Sequence, residues 1–154
     1  MRIKPTIKNL FILLTLFVSC HEHESKDFSF SPLHPVTYEF KAGQKFNRID
    51  YFYVDGAFSY KNSDYEKLQN KIDKKIAIVP TTNYDFYSVY IYKKTDVINK
   101  TYTGGREGLD GRHQDIIAYI RYSEGHPDIF YIIQKGNVVY DLLSGQREDF
   151  EFDQ

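Results

Sequence analysis

The residues of this chain best suited to chemistry lie in one glycine-rich stretch, from Thr103 to Asp115. Asp110, His113 and Asp115 sit close together there, beside Arg106, Glu107 and Arg112. An unperturbed histidine titrates near neutral pH, and a carboxylate beside it can orient the ring or share a metal ion. The trio therefore offers an acid–base pair or part of a metal site, the chemistry of a small hydrolase. Its spacing matches no defined motif. Gly104, Gly105, Gly108 and Gly111 are followed by no Gly-Lys-Ser/Thr, and their intervals do not fit a dinucleotide fingerprint. The chain has no Gly-x-Ser-x-Gly elbow and no His-Glu-x-x-His, and beyond the N-terminal segment its histidines are scattered at 34, 113 and 126. A solvated loop between strands is the commoner use of such a stretch, although four glycines would also let a backbone approach a ligand. No cofactor and no bound metal is expected.

The one cysteine, Cys20, closes a segment of different character. Arg2, Lys4 and Lys8 make a basic head, Leu10 to Val18 an apolar run broken only by Thr15, and Ser19 a small residue before the cysteine. These are the parts of a secretory signal, and the apolar run is far short of the ~20 residues a membrane-spanning helix needs. Phe17-Val18-Ser19-Cys20 resembles the lipobox of bacterial lipoproteins, with Phe17 where leucine is usual. The resemblance implies a signal peptide over 1–19 and a lipid-modified Cys20 as the first mature residue. Two or more acyl chains suffice for stable anchoring, since each buried methylene contributes about 0.8 kcal/mol. The chain is thus expected in the cell envelope, held to the bilayer through Cys20 on the periplasmic or surface face of an outer membrane. With Cys20 committed to lipid, no disulfide is available to the fold.

Removing 1–19, which carry three basic groups and no acidic one, moves the formal charge from −1 to −4. That balance, with no basic stripe among the aromatics, argues against nucleic acid as a partner. Tyrosine (14) and phenylalanine (12) are abundant and tryptophan is absent. Tyrosine favours binding interfaces, but it is also a strand former on half-buried sheets.

The elements that must position these residues follow from periodicity. Residues 20–35, from His21-Glu22-His23-Glu24 to the prolines at 32 and 35, show no period and read as a flexible tether. The two histidines there could take a transition metal, against the entropy of ordering the tract. A single domain is expected over 36–146. Val36–Phe40 alternates as a strand, and Ile49–Val54 and Ala57–Tyr60 flank Asp55-Gly56, a hairpin signal. Ser63 and Glu66 stand in capping-box spacing, and Tyr65, Leu68, Ile72 and Ile76 recur at helical intervals, predicting a helix over about 64–74. Ile76–Val79 reads as a short buried strand stopped by Pro80, and Phe86–Tyr92 as a central strand covered on both faces. Thr95 is placed to cap a short helix through Lys100. Ile116–Tyr122, Ile129–Gln134 and Val138–Leu143 then read as a meander, with a tight turn at Lys135-Gly136-Asn137. The acidic tail, 147–154, is expected to fray.

The fold class expected is α+β, an antiparallel sheet of about six or seven strands with one main helix on one face. For function, two classes remain. The first is a non-catalytic, membrane-anchored module that binds another protein, as an immunity factor or an accessory subunit. The second is a small envelope hydrolase using Asp110, His113 and Asp115. The first is preferred, because no spacing here is one that a known chemistry requires.

Overall fold

The computed structural model describes residues 27–153. Seven strands form one sheet in chain order: β1 (Ser29–Ala42), β2 (Lys45–Asp55), β3 (Phe86–Lys93), β4 (Ile116–Ser123), β5 (His126–Gln134), β6 (Asn137–Asp141) and β7 (Gln146–Glu151). One helix, α1 (Asn62–Ile76), connects β2 to β3. The fold is sheet-rich α+β and mostly antiparallel. The exception to the expected antiparallel order is the β2–β3 pair, which is parallel, with Tyr51 opposite Tyr90. Parallel neighbours need a crossover connection, and α1 supplies it.

That crossover explains two departures from the sequence reading. Ala57–Tyr60 is not a strand, because the edge of β2 it would occupy is taken by β3. It carries Phe58 beneath the helix instead, against Phe28 at 5.5 Å. Ile76–Val79 is not a strand either. Ile76 continues the stripe of Tyr65, Leu68 and Ile72 as the last helical residue, Ala77 donates its N–H to Asp73, and Ile78 lies 81% exposed in the turn beyond. The helix also begins without the expected capping box. No side chain caps its first turn, whereas the buried Asp64 accepts hydrogen bonds from the Ser59 N–H (2.5 Å) and Oγ (2.6 Å), fixing the incoming chain.

Both ends of the domain are longer than expected. The tether reading fails from Ser29 onward; Cys20, the signal segment and His21 to Glu24 lie outside the described residues. Phe28 and Leu33 are buried, and Phe30 stacks on Phe52 at 4.6 Å. β1 pairs with β2 in two segments, with a register shift between Pro32 and Thr37. Prolines are tolerated there because β1 is an edge strand with a bulge, where a missing N–H leaves no ladder partner unsatisfied. The expected frayed tail forms β7 through Glu151; Phe150 meets Tyr131 at 5.5 Å, and Phe152, just beyond the strand, is buried against Tyr119 at 5.2 Å. The turn at Lys135-Gly136 forms as expected, with φ of +53° and +82°, the paired positive values a type I′ hairpin requires.

The sheet has two dissimilar faces. One packs Tyr87, Val89, Ile91, Ile120 and Ile132 under Leu68 and Ile72 of α1. The other carries Tyr51, Tyr53, Tyr92, Ile116, Ile133 and Val138, covered by residues of the β3–β4 loop and by Phe152. Among the described residues no helix is long and apolar enough to cross a membrane.

Candidate functional site

The loop that covers the second face is the glycine-rich stretch. No helix follows Thr95; its Oγ1 accepts the Ile98 N–H (2.9 Å), closing a turn that drives Ile98 into the core. Tyr102 and Leu109 are buried beside it. The glycines serve this packing. The Tyr102 hydroxyl donates to the Gly105 carbonyl (2.6 Å), and Gly108 N–H to the Gly104 carbonyl (3.1 Å). A Cβ on Gly104 would stand 2.8 Å from the Tyr102 hydroxyl, and one on Gly108 nearer still. For Gly104 and Gly108 the backbone approach that the glycines suggested is therefore an approach to Tyr102, while Gly111 lies open and lines a cavity.

Where the loop overhangs the sheet it leaves a cavity of about 300 Å³, and Asp110 and His113 both line it. Asp115 does not. It turns away to Arg112, 3.6 Å between charged atoms, so the structure brings together two of the three candidate residues. His113 Nδ1 is buried with no hydrogen-bond partner among the described residues. The described residues contain no group of three histidine, cysteine or acidic side chains able to hold a metal ion.

The other walls are Ile49, Tyr51, Tyr90, Tyr92, Leu109 and Arg106. Tyr51 belongs to a row the sequence did not reveal: Tyr51, Tyr90, Tyr119 and Tyr131 stand directly opposite one another on four successive strands. The Tyr51 and Tyr90 rings stack at 5.6 Å, and those of Tyr90 and Tyr119 lie 4.8 Å apart. Burial raises the Tyr51 phenol above its ordinary value, with Arg106 pulling it back and Asp110 adding to the rise. Burial likewise raises Tyr90 and Tyr119. These phenols stay protonated at neutral pH and act as hydrogen-bonding groups. The available signal was tyrosine at alternate positions, 51 and 53, then 90 and 92.

A second polar cluster, on the helix face, also escaped the sequence reading. The buried Asp50 accepts hydrogen bonds from Thr37 Oγ1 (2.9 Å), Tyr87 Oη (2.8 Å), and Arg48 Nε (3.1 Å) and Nη2 (3.0 Å). Burial pulls the Arg48 pKa down, but its bonds to Asp50 and Tyr84 outweigh this and raise it. Arg48 and Asp50 also border a cavity of about 390 Å³ lined by Leu33, Phe52 and Val79. Their hydrogen-bonding capacity is largely spent on each other, so the cluster serves as a lock between β1, β2 and β3.

Beyond the overhang the second face is bare. An open depression of about 310 Å³ is lined there by Phe40, Lys45, Ile49, Phe86, Ser88 and Arg121. Phe86 lies between two cations, Lys45 at 4.9 Å and Arg121 at 5.5 Å from the ring centroid. Tyr38, 40% exposed, packs on Phe40 at 5.2 Å and under the Arg106 guanidinium at 5.1 Å.

No protein-family model matches this chain, and neither a curated protein nor a solved structure does.

Proposed function

We propose that the chain is an envelope lipoprotein, anchored through Cys20, whose domain binds a partner protein with the bare half of the second sheet face. The observation that carries this reading is the makeup of the depression: half-buried Phe40 and Phe86 beside Arg121 and exposed Lys45, with exposed Tyr38 packed on Phe40 at its margin. Aromatic residues and arginine are the groups enriched in protein interfaces and their hot spots. Arg121 is already met by Asp128, so Lys45 is the cation that favours a partner with an acidic group beside an apolar centre. An immunity factor facing a toxin and an accessory subunit of a surface complex would both use such a face.

The test has two parts. Cys20→Ser should release the protein from the membrane fraction or leave its precursor uncut; a mature-length chain still sedimenting with membranes overturns the anchor. Affinity capture from envelope extracts should retain a defined protein with the native chain. The Lys45→Glu, Phe86→Ala double variant should lose it while melting as a folded domain. Equal capture by that variant excludes this face.

One observation favours the hydrolase reading as well: Asp110 and His113 share one cavity. In that reading His113 acts as general base or acid, and Asp110 is the carboxylate beside it.

A further inference from the structure

We propose that the cavity beneath the β3–β4 loop binds a small zwitterion, an α-amino acid with an apolar or aromatic side chain. This does not rest on the partner-protein reading, which concerns the bare half of the face.

Two charges of opposite sign stand at the cavity, Arg106 and Asp110, four residues apart on the overhanging loop. Among the described residues neither forms an ion pair, with the other or with any further group. Arg106 differs in this from Arg48, Arg112 and Arg121, each of which meets a carboxylate. Its guanidinium rests on the Tyr38 ring instead, leaving its N–H groups free for an acceptor. Arg106 and Asp110 both line the cavity together with Tyr51.

A ligand matching this arrangement carries an anion for Arg106 and a cation for Asp110. Guanidinium and carboxylate pair through two parallel hydrogen bonds, and an ammonium donates readily to a carboxylate. Arg106 and Asp110 are exposed residues, so a ligand with only one of the two charges forgoes one of the two ion pairs, and a neutral one forgoes both. The remaining walls, Ile49, Leu109 and the tyrosines, suit an apolar or aromatic side chain. The volume is at the small end of ligand pockets, which run from about 300 to 1,000 Å³. It accommodates a free amino acid.

Isothermal titration of the full chain in detergent tests this with L-leucine and L-phenylalanine, N-acetyl-L-phenylalanine and L-phenylalanine amide. Saturable binding is expected for at least one free amino acid, and a loss of about tenfold or more for each blocked form. Arg106→Gln should weaken the free amino acid by a similar factor, as should Asp110→Asn, with melting temperatures unchanged. Equal binding of the N-acetyl form would mean that the site reads a carboxylate alone, and equal binding of the amide an ammonium alone. Either result overturns the proposal, as does the absence of heat from both free amino acids at millimolar concentration.

Discussion

On one face of the sheet Leu68 and Ile72, both fully buried, close over Tyr87, Val89 and Ile91, and the cover is a continuous helix with its own hydrogen bonds. On the other face the cover is an irregular loop, pinned by Ile98, Tyr102 and Leu109, that stops short and leaves Phe40 and Phe86 half-buried in an open depression. Apolar burial stabilises in proportion to area, and the larger cluster of buried residues lies on the helix face. Both faces border a cavity, but the loop face also carries Arg106 and Asp110, unpaired among the described residues, and the half-buried rings of Phe40 and Phe86. Binding surfaces are commonly carried in this way, on irregular segments positioned by a rigid scaffold.

Leu68→Asp attacks the helix face and should have the largest effect. An unpaired carboxylate among Ile72, Tyr87 and Val89 costs about 4 kcal/mol or more, enough to unfold a domain of ordinary stability. Circular dichroism should show no cooperative melt. A melting temperature equal to that of the native chain would mean that α1 does not seal this core.

Alkaline pH loads both faces at once. Burial raises Tyr60 and Tyr122, on the helix side, from 10.0 to about 12, and it raises Tyr90 and Tyr119 opposite. The folded chain keeps these protons at a pH where the unfolded chain releases them, so the unfolded state binds fewer. Stability is therefore complete below about pH 10 and declines as pH rises through 10 towards 12. Thermal melts across that range, with tyrosinate absorbance, should show one cooperative transition because the faces share strands. Two separate steps would mean that the loop leaves before the helix does.

Gly108→Ala tests the loop face alone. The added methyl would meet the Tyr102 hydroxyl and, at 2.9 Å, the Gly104 carbonyl. Overpacking of this kind costs roughly 1–3 kcal/mol. The melting temperature should fall without loss of cooperativity, and amide exchange should rise in residues 94–112 while α1 stays protected. Unchanged exchange would show that the loop is not wound on Tyr102.

The helix was legible because its four apolar residues form one stripe, and β3 to β5 because their runs are long and bounded by turn residues. β1 was not, since prolines at an edge bulge erase the period of two that marks a strand. Ala57–Tyr60 and Ile76–Val79 look like strands locally, but strand formation depends on a free neighbour, which the parallel β2–β3 pair removes. The site was half legible for the same reason. Asp110 and His113 share a loop with Arg106 and could be grouped by proximity in the chain, whereas Tyr51 and Tyr90 meet them only once strands some forty residues apart are in register. Arg48 and Asp50 read as ordinary alternating polar residues of a strand, and only the ladder brings Tyr87 and Thr37 to them.

The smallest expected effect is that of His113→Ala, and it divides the two readings of the cavity. The ring is partly exposed, and its buried Nδ1 has no hydrogen-bond partner among the described residues, so truncation removes no such bond there. Stability should move by no more than about 0.5 kcal/mol, the range of substitutions away from core and network. Partner capture through Phe86 and Lys45 should be unaffected, since neither residue lines the cavity that His113 does. In a hydrolase the same change removes the imidazole that lines the cavity, and loss of a general acid or base typically costs about 10²–10⁴-fold in rate. Full turnover by the variant in any activity assay would take His113 out of the mechanism. A loss of that size at constant melting temperature would instead make the loop face a catalytic one, with Asp110 as the next residue to replace.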